Sequence, residues 1–241
     1  MADAIFEDKR LIEIYDVFDG ERHDLVHYLA LVKNLKAKSV LDVGCGTGSF
    51  SCLLSKEGFD VVGLEPASAS LDVARGKNYA DNIRWILGDT SALPLLQVDL
   101  AVMVGNVAQV FVTDATWEEN LRCIKKALKP NGYLVFEVRD PAKKAWENWT
   151  RDKTYCRLNI PKVGIVEGWC EVTDVSDGLV SFVWTYVFES DGQILKSHST
   201  LRFRTKDEIQ TALVKIGFTI EEIRDAPDRP GLEFVFIARV S

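Results

Sequence analysis

The chain has 241 residues, of which 47% are hydrophobic and 27% charged, a size and composition typical of one globular domain with an embellishment. Its formal net charge of −7, without a compensating basic run, argues against nucleic acid or an anionic membrane as a partner. The five cysteines show no Cys-x-x-Cys spacing, so neither a disulfide framework nor a metal site is expected.

The start of the chain does not have the pattern of a signal peptide. Charged residues are concentrated between Asp3 and Arg10, where a signal peptide needs an apolar core. The most apolar stretch, Val98 to Val112, is interrupted by polar residues and is too short to span a bilayer. We therefore expect a cytoplasmic protein without a membrane partner.

Two segments with apolar residues at helical spacing come first, from Ile5 to Phe18 and from Asp24 to Leu35. Each is predicted to be one helix beside the main sheet. Together they define a predicted N-terminal helical cap over residues 1–36.

From residue 38 to about 138 the pattern alternates between strand and helix, which is typical of a parallel sheet covered on both faces. The predicted strands are continuous apolar runs. They are Val40 to Val43, Val61 to Leu64, Ile83 to Leu87, Leu100 to Val104 and Tyr133 to Val138. A capping box at Thr116 to Glu119 is expected to open a helix through Leu128, which Pro130 and Gly132 end.

After Arg139 the pattern changes to three longer strands, predicted at 165–174, 179–189 and 194–204. Asp-Gly pairs at 177–178 and 191–192 are strong hairpin signals between them. We therefore expect residues 139–204 to form an antiparallel three-stranded lid over the carboxyl edge of the main sheet.

The last segment returns to the main sheet. A capping box at Thr205 to Glu208 opens a helix to about Lys215, and Gly217 ends it. Two further strands are predicted, Phe218 to Ile223 and Leu232 to Arg239. Residues 37–138 and 205–241 are thus expected to share one domain.

The run Val-Leu-Asp-Val-Gly-Cys-Gly-Thr-Gly at residues 40–48 takes a buried strand into a glycine-rich loop. Gly44, Gly46 and Gly48 allow a sharp turn and a close approach of the backbone to a ligand. Asp42 ends the strand beside the same crevice. The dinucleotide fingerprint Gly-x-Gly-x-x-Gly does not fit, because serine stands at positions 49 and 51.

Two acidic residues follow the next two strands. Glu65 can accept hydrogen bonds from the vicinal hydroxyls of a ribose, and its charge argues against a 2′-phosphate. The alternative is a solvated acid at a strand end. Asp89, after the third strand, either faces a bound ring or caps the next turn.

The glycine loop, Glu65, Gly88-Asp89 and Lys-Pro-Asn-Gly at 129–132, in this order and between strands, resemble class I S-adenosylmethionine-dependent methyltransferases of the small-molecule type. The resemblance implies an α/β fold with a doubly wound, mostly parallel seven-stranded sheet, here carrying the inserted lid. It implies S-adenosyl-L-methionine as cofactor, with Glu65 on the ribose and Asp89 on the adenine. Cys45, Pro66 and Thr90 belong to the implied site.

The resemblance also implies a site for the methionine part of the cofactor. Gly105 and Asn106 end the fourth strand beneath it, and Gln109 lies three residues on. Tyr15 and Arg22, on the N-terminal segments, are expected to close over the cofactor carboxylate; helix packing and surface charge are the alternative.

The acceptor is expected to be a small molecule, whose methylation at N, O, S or C depends mainly on positioning. No motif announces a catalytic residue. Four of the six tryptophans lie between 139 and 190, and aromatic residues share one face of the strand from 179. They either wall an acceptor pocket or pack the lid against the domain or a twin subunit, which makes the lid a candidate homodimer surface.

Polar residues near the lid are further candidates for the acceptor site. Arg139 and Asp140 follow the fifth strand, and His198 alternates with Arg202 and Arg204. The alternatives to a methyltransferase are a non-catalytic S-adenosylmethionine-binding sensor or assembly subunit and an NAD-dependent oxidoreductase.

Overall fold

A computed structural model describes residues 2–241, which form eight α-helices and eleven strands with short 3₁₀ turns between them. The helices are α1 Ala4–Glu7, α2 Lys9–Asp19, α3 Leu25–Asn34, α4 Ser49–Lys56, α5 Ser68–Arg75, α6 Asp114–Ala127, α7 Arg151–Thr154 and α8 Lys206–Ile216. The strands are β1 Ser39–Val43, β2 Asp60–Glu65, β3 Ile83–Leu87, β4 Val98–Met103, β5 Leu128–Arg139, β6 Cys156–Ile160, β7 Gly164–Ser176, β8 Leu179–Phe188, β9 Ile194–Arg202, β10 Phe218–Asp225 and β11 Glu233–Val240.

The larger sheet has seven strands in the order β10-β11-β5-β4-β1-β2-β3. Strands β1 to β5 pair in parallel, and only β11 pairs antiparallel, with β5 and β10. Strand order reverses beside β1, so the chain leaves β1 and β4 toward opposite faces of the sheet and a crevice forms at their carboxyl ends. The predicted fold class, with a mostly parallel seven-stranded sheet, is confirmed.

Both faces of this sheet are buried, as its continuous apolar strands predict. On β4, Leu100 and Val102 pack into a core with α3 and α4, whereas Ala101 and Met103 pack into a second core with α6 and α8. The two-residue period of a strand therefore supplies both cores from one apolar run.

The smaller sheet differs from the expected three-stranded lid, because a fourth strand, β6, extends it. The order is β6-β7-β8-β9, all antiparallel. Strand β6 has exposed Arg157 and Asn159 that alternate with half-buried or buried neighbours, as a short edge strand does. We call β6–β9 the inserted sheet.

The first predicted helix is in fact two, because the chain breaks at Asp8. The Asp8 carboxylate accepts hydrogen bonds from the backbone N–H groups of Arg10 and Leu11, and so caps α2. Both helices pack against the inserted sheet in a small apolar cluster that includes Ile14 and Phe188.

The start of α6 also corrects the prediction. The helix begins at Asp114, and its capping box is formed by Thr113 and Thr116 rather than by Thr116 and Glu119. The helix ends at Ala127, and the chain enters β5 before Pro130 and Gly132. At α8, in contrast, Thr205 and Glu208 form the predicted box, and Gly217 ends the helix with φ of +90°.

None of the helices found between residues 2 and 241 has the length and apolar character that crossing a membrane requires.

Candidate functional site

A cavity of about 520 Å³ lies at the carboxyl end of the parallel strands, where the strand order reverses. We call it the main cavity. Its floor comes from the ends of β1, β2 and β4, and its roof from α1, α2 and the turn after α2. Its volume lies in the range of small-molecule and cofactor sites.

The glycine loop forms one wall of this cavity, and Gly44 and Gly46 serve it in different ways. A Cβ on Gly44 would lie 2.8 Å from the side chain of Val107, so this glycine allows β1 and the turn after β4 to pack closely. A Cβ on Gly46 would meet no atom within 4 Å and would project into open space. With φ of +55°, Gly46 thus leaves room for a ligand against the backbone.

Gly48, in contrast, does not line the main cavity. Its Cβ would lie 2.8 Å from Trp85 and 2.9 Å from Ala74, on the side of β3 and α5. The loop and α4 therefore need Gly48 for packing behind the site, and the expected direct approach to the cofactor is not seen at this residue.

Glu65 lies at the end of β2 on the cavity wall and is only 6% exposed. Its two carboxylate oxygens accept hydrogen bonds from the backbone N–H groups of Gly46 and Ala67, both at 2.9 Å. Burial raises the pKa of this carboxyl. Each oxygen keeps a lone pair, so the fixed carboxylate can accept two further hydrogen bonds from a diol.

Asp42 and Cys45 also line the cavity, but their chemistry is structural. The Asp42 carboxylate accepts a hydrogen bond of 2.6 Å from the hydroxyl of Ser51, which ties β1 to the first turn of α4. Burial raises the pKa of Asp42 to about 6 and that of the Cys45 thiol well above its ordinary value. A buried, protonated thiol is a poor nucleophile.

The turn after β3 brings Asp89 and Thr90 to the cavity, together with Pro66 from the turn after β2. The Asp89 carboxylate accepts from the hydroxyl and the backbone N–H of Ser91, which lowers its pKa. Thr90 is buried and donates to Asn120 at 2.7 Å. Asp89 therefore both caps the turn and stands at the cavity wall.

Only half of the expected pair after β4 reaches the cavity. Gly105 lines it, but Asn106 turns away with φ of +62°, and its side-chain amide lies 3.4 Å from Glu233. Instead, the buried Glu137 carboxylate accepts from the backbone N–H groups of both residues and fixes the turn. The Asn106 side chain is buried and does not line the main cavity, and its place in the cofactor site stays a prediction.

Arg22 and Tyr15 both line the roof of the cavity. The Arg22 guanidinium donates to Asp24 at 2.7 and 2.9 Å and to Asp19 at 3.2 Å, so it is held in one orientation. A Cβ on Gly105 would lie 3.8 Å from one of its terminal nitrogens. Arg22 therefore supplies a positioned cation directly above the turn after β4.

The other polar candidates separate into two groups. One group holds elements of the fold together. Gln109 is 1% exposed and joins the Arg139 side chain to the Arg202 carbonyl. Arg204 forms an ion pair with Asp114. Only His198 lies in an open cleft, which is described below.

The aromatic residues of the inserted sheet mainly pack it. Trp149 contacts Phe182 with ring centroids 4.8 Å apart, and Phe18 of α2 contacts Tyr186 at 5.2 Å. Trp184 stacks on Tyr186. These contacts favour the packing interpretation over an aromatic-walled pocket.

Several cavity residues carry no signal in the sequence. Ala2, Asp3 and Phe6 reach the main cavity from the N-terminal segment, and Phe111 reaches it from the turn after β4. From the sequence, Asp3 is an ordinary residue before a helix, and Phe6 belongs to the apolar face of that helix. Their roles depend on where α1 packs on the rest of the protein, and the sequence pattern does not predict that position.

Comparison with known proteins gives a match to the family model of a methyltransferase domain over residues 40–132, less than half of the chain. A cypemycin N-terminal methyltransferase from a Streptomyces species is 31% identical over 149 residues. That match covers 59% of this chain and 60% of the relative. The chain thus spans about 60% of the length of this relative.

Solved structures resemble the whole chain more fully. An S-adenosylmethionine-dependent methyltransferase from Clostridium acetobutylicum superposes with a TM-score of 0.77 at 14% identity, over 95% of this chain and 96% of that one. An amino pentose methyltransferase from Micromonospora echinaspora, with S-adenosylmethionine bound, gives 0.72 at 19% identity, over 93% and 94%. At such identities the similarity shows a shared fold.

Proposed function

Because this chain carries a methyltransferase domain and has the fold of class I S-adenosylmethionine-dependent methyltransferases, we propose that it transfers a methyl group from S-adenosylmethionine to a small-molecule acceptor. The observation that carries this proposal is the main cavity itself. Open space above Gly46, the fixed Glu65 carboxylate and the fixed Arg22 guanidinium all border this one cavity. A nucleoside that bears an amino acid needs an acceptor for its diol and a cation for its carboxylate.

In this proposal the residues present fit S-adenosylmethionine from end to end. Glu65 accepts hydrogen bonds from the ribose hydroxyls, and Asp89 accepts from the adenine amino group. Arg22 binds the cofactor carboxylate by charge-assisted hydrogen bonds, with Tyr15 beside it. The turn at Gly105, held by Glu137, supports the methionine part.

When bound, the cofactor supplies a methyl group on a positively charged sulfur. The residues of this chain then have to hold acceptor and methyl in line and keep water out. Such positioning contributes on the order of 7–11 kcal/mol to lowering a barrier. Val107 and Phe111 provide apolar walls suited to this task.

Nitrogen is the acceptor atom that we favour. The Streptomyces relative is named for N-terminal methylation, and the Micromonospora structure is that of an amino pentose methyltransferase. Cytoplasmic location, the domain boundaries and a homodimer through the inserted sheet stay predictions.

Replacement of Glu65 by Gln tests the proposal, because it removes the charge while keeping the shape of the side chain. Loss of charge-assisted hydrogen bonds costs about 1.5–3 kcal/mol, so calorimetry should show S-adenosylmethionine binding weakened about 10- to 100-fold. Glu57→Gln, an exposed acid that pairs with Lys33, is the matched control and should leave the affinity unchanged.

Equal affinity in wild type and Glu65→Gln would contradict the assignment of Glu65 to the ribose. Normal cofactor binding without methylation of any acceptor in a cell extract would favour the non-catalytic sensor instead.

A further inference from the structure

A second, more open cleft of about 470 Å³ adjoins the main cavity. We call it the outer cleft. The two share three lining residues, Asp3, Val110 and Thr200, so a molecule in the outer cleft touches the same wall as a molecule in the main cavity. Resting on the proposed function, we propose that the outer cleft binds the methyl acceptor, that this acceptor is a hydroxylated amine, and that Asp3 anchors its nitrogen.

The lining of the outer cleft defines the class of acceptor. Four residues of its lining carry hydroxyl groups, Thr173, Ser181, Ser199 and Thr200. The register of β8 and β9 puts Ser181 and Thr200 on one face of the sheet and Ser199 on the other, so the lining reaches both faces of the edge strand β9. Ser181 and Thr200 hydrogen-bond to each other at 2.8 Å across β8 and β9. Each hydroxyl can donate and accept, so together they suit a ligand that bears several hydroxyl groups.

The charge of the outer cleft selects against acids. Asp3 is the acidic residue in its lining, and none of the nine described lining residues is lysine or arginine. A carboxylate or phosphate would therefore meet repulsion without a compensating cation, whereas an amine can donate hydrogen bonds to the Asp3 carboxylate.

Asp3 is held firmly enough to position a ligand. Its Oδ2 accepts a hydrogen bond of 2.5 Å from the Ser199 hydroxyl. The following segment is fixed as well, because the backbone N–H of Ile5 donates to buried Ser197 and the Phe6 carbonyl accepts from buried Ser70. The carboxylate of Asp3 thus stands where the two cavities meet, with a second oxygen to offer.

The reaction at this wall balances without a further reactant. The lone pair of the neutral amine forms the new N–C bond while the bond from the methyl carbon to sulfur breaks. The electron pair of the broken bond stays on sulfur, which becomes a neutral thioether. The methylated nitrogen is then an ammonium and must lose one proton. Water in the open cleft takes that proton, because the alternation of β9 places His198 on the face opposite Ser199 and the Asp3 carboxylate bound to it.

The test uses the full chain with S-adenosylmethionine and three pools of sugars of matched size. The amine pool holds glucosamine, galactosamine and 3-amino-3-deoxyglucose; the neutral pool holds glucose and galactose; the acid pool holds glucuronic and galacturonic acids. S-Adenosylhomocysteine release and the mass gain of one methyl group are measured. We expect turnover in the amine pool alone.

Two variants separate the acceptor site from the fold. Asp3→Asn should raise KM for the amine about 10- to 100-fold, a much larger change than in the Kd for S-adenosylmethionine. Glu7→Gln is its control, because Glu7 also ties the N-terminal segment down, through Ser68, but does not line the outer cleft.

Turnover of the neutral or acid pool instead of the amines would overturn the proposal, as would amine turnover that Asp3→Asn leaves unchanged. No turnover of amines by a protein that binds S-adenosylmethionine would also overturn it while leaving the cofactor assignment standing. Failure to bind S-adenosylmethionine contradicts the proposed function itself. An equal loss in Glu7→Gln would assign the effect of Asp3 to the docking of the N-terminal segment and also reject the anchor.

Discussion

At the scale of single residues, the glycine loop combines three separate demands. Gly44 lets β1 approach Val107, Gly46 leaves the cavity open, and Gly48 lets the loop pack on Trp85. The sequence predicts that this spacing matters, because glycine allows a sharp turn and a close approach of the backbone. In the structure each of the three lies at a positive φ, where glycine is favoured. The sequence could not show which of the three glycines faces a ligand, because that depends on the side chains of β3, α5 and the turn after β4.

Gly46→Ala should therefore weaken S-adenosylmethionine binding more than it weakens the fold. The added methyl group projects into the main cavity, and overpacking of this kind costs about 1–3 kcal/mol, or about tenfold or more in Kd. The left-handed backbone adds a cost of about 1–2 kcal/mol in stability. Calorimetry and urea denaturation measure the two effects.

Gly192→Ala is the matched control for this change. Gly192 has φ of +71°, its Cβ would also meet no atom within 4 Å, and it lies in the β8–β9 turn. It should lose similar stability and bind the cofactor normally. If both variants bind equally, the space above Gly46 is not the ligand site.

At the scale of elements, the N-terminal segment of residues 2–7 links the two sheets over the main cavity. Ser70 of α5 and Ser197 of β9 are both fully buried and hold this segment from opposite sides. The sequence predicts a helix here from its apolar period, but the break at Asp8 and the docking partners are tertiary features. Similarly, β6 could not be predicted from the sequence, because a short edge strand with exposed Arg157 and Asn159 shows little apolar alternation.

The double variant Ser70→Ala/Ser197→Ala should loosen this roof. Each change removes one buried hydrogen bond to the segment, at a cost of about 1–3 kcal/mol. We expect faster hydrogen exchange over residues 2–7 and about tenfold faster dissociation of S-adenosylmethionine in stopped-flow measurements.

Thr205→Ala serves as the stability control for the double variant. It removes the cap of α8 at a cost of about 0.5–2 kcal/mol, and Thr205 does not line the main cavity. Dissociation as slow in the double variant as in Thr205→Ala would show that residues 2–7 do not retain the cofactor.

At the scale of the whole molecule, the five parallel strands could be predicted because each is an apolar run bounded by turn signals, whereas the seven-stranded sheet came from the family resemblance. The position of the inserted sheet could not be predicted from the sequence, because its aromatic residues fit either a pocket or a packed interface. Phe18 on Tyr186 and Trp149 on Phe182 place them in packing. The burial of the acids Asp42 and Glu137 could likewise not be predicted from the pattern, and it couples the stability of the fold to pH.

Glu137 should make the protein less stable as pH rises through neutrality. Burial raises its pKa to about 7 in the folded state, against 4.5 ordinarily; Tyr28 and Glu233 face it. A raised carboxyl pKa gives stability that is complete below about pH 4.5 and is lost as pH rises through about 7.

Glu137→Gln removes this titration while keeping an oxygen for the N–H groups of Gly105 and Asn106. Urea denaturation at about pH 5 and about pH 8 should therefore show a difference between wild type and variant that changes by about 1–3 kcal/mol in favour of the variant at the higher pH. Asp42 titrates in both wild type and Glu137→Gln, so its contribution to the difference in unfolding free energy cancels. A difference independent of pH would mean that Glu137 does not titrate in this range.

Binding of S-adenosylmethionine in the main cavity can be measured by calorimetric titration of the wild-type protein. We expect saturable binding of one S-adenosylmethionine per chain, competed by S-adenosylhomocysteine, and no binding of NADH. Saturable NADH binding without S-adenosylmethionine binding would contradict it and support the oxidoreductase alternative.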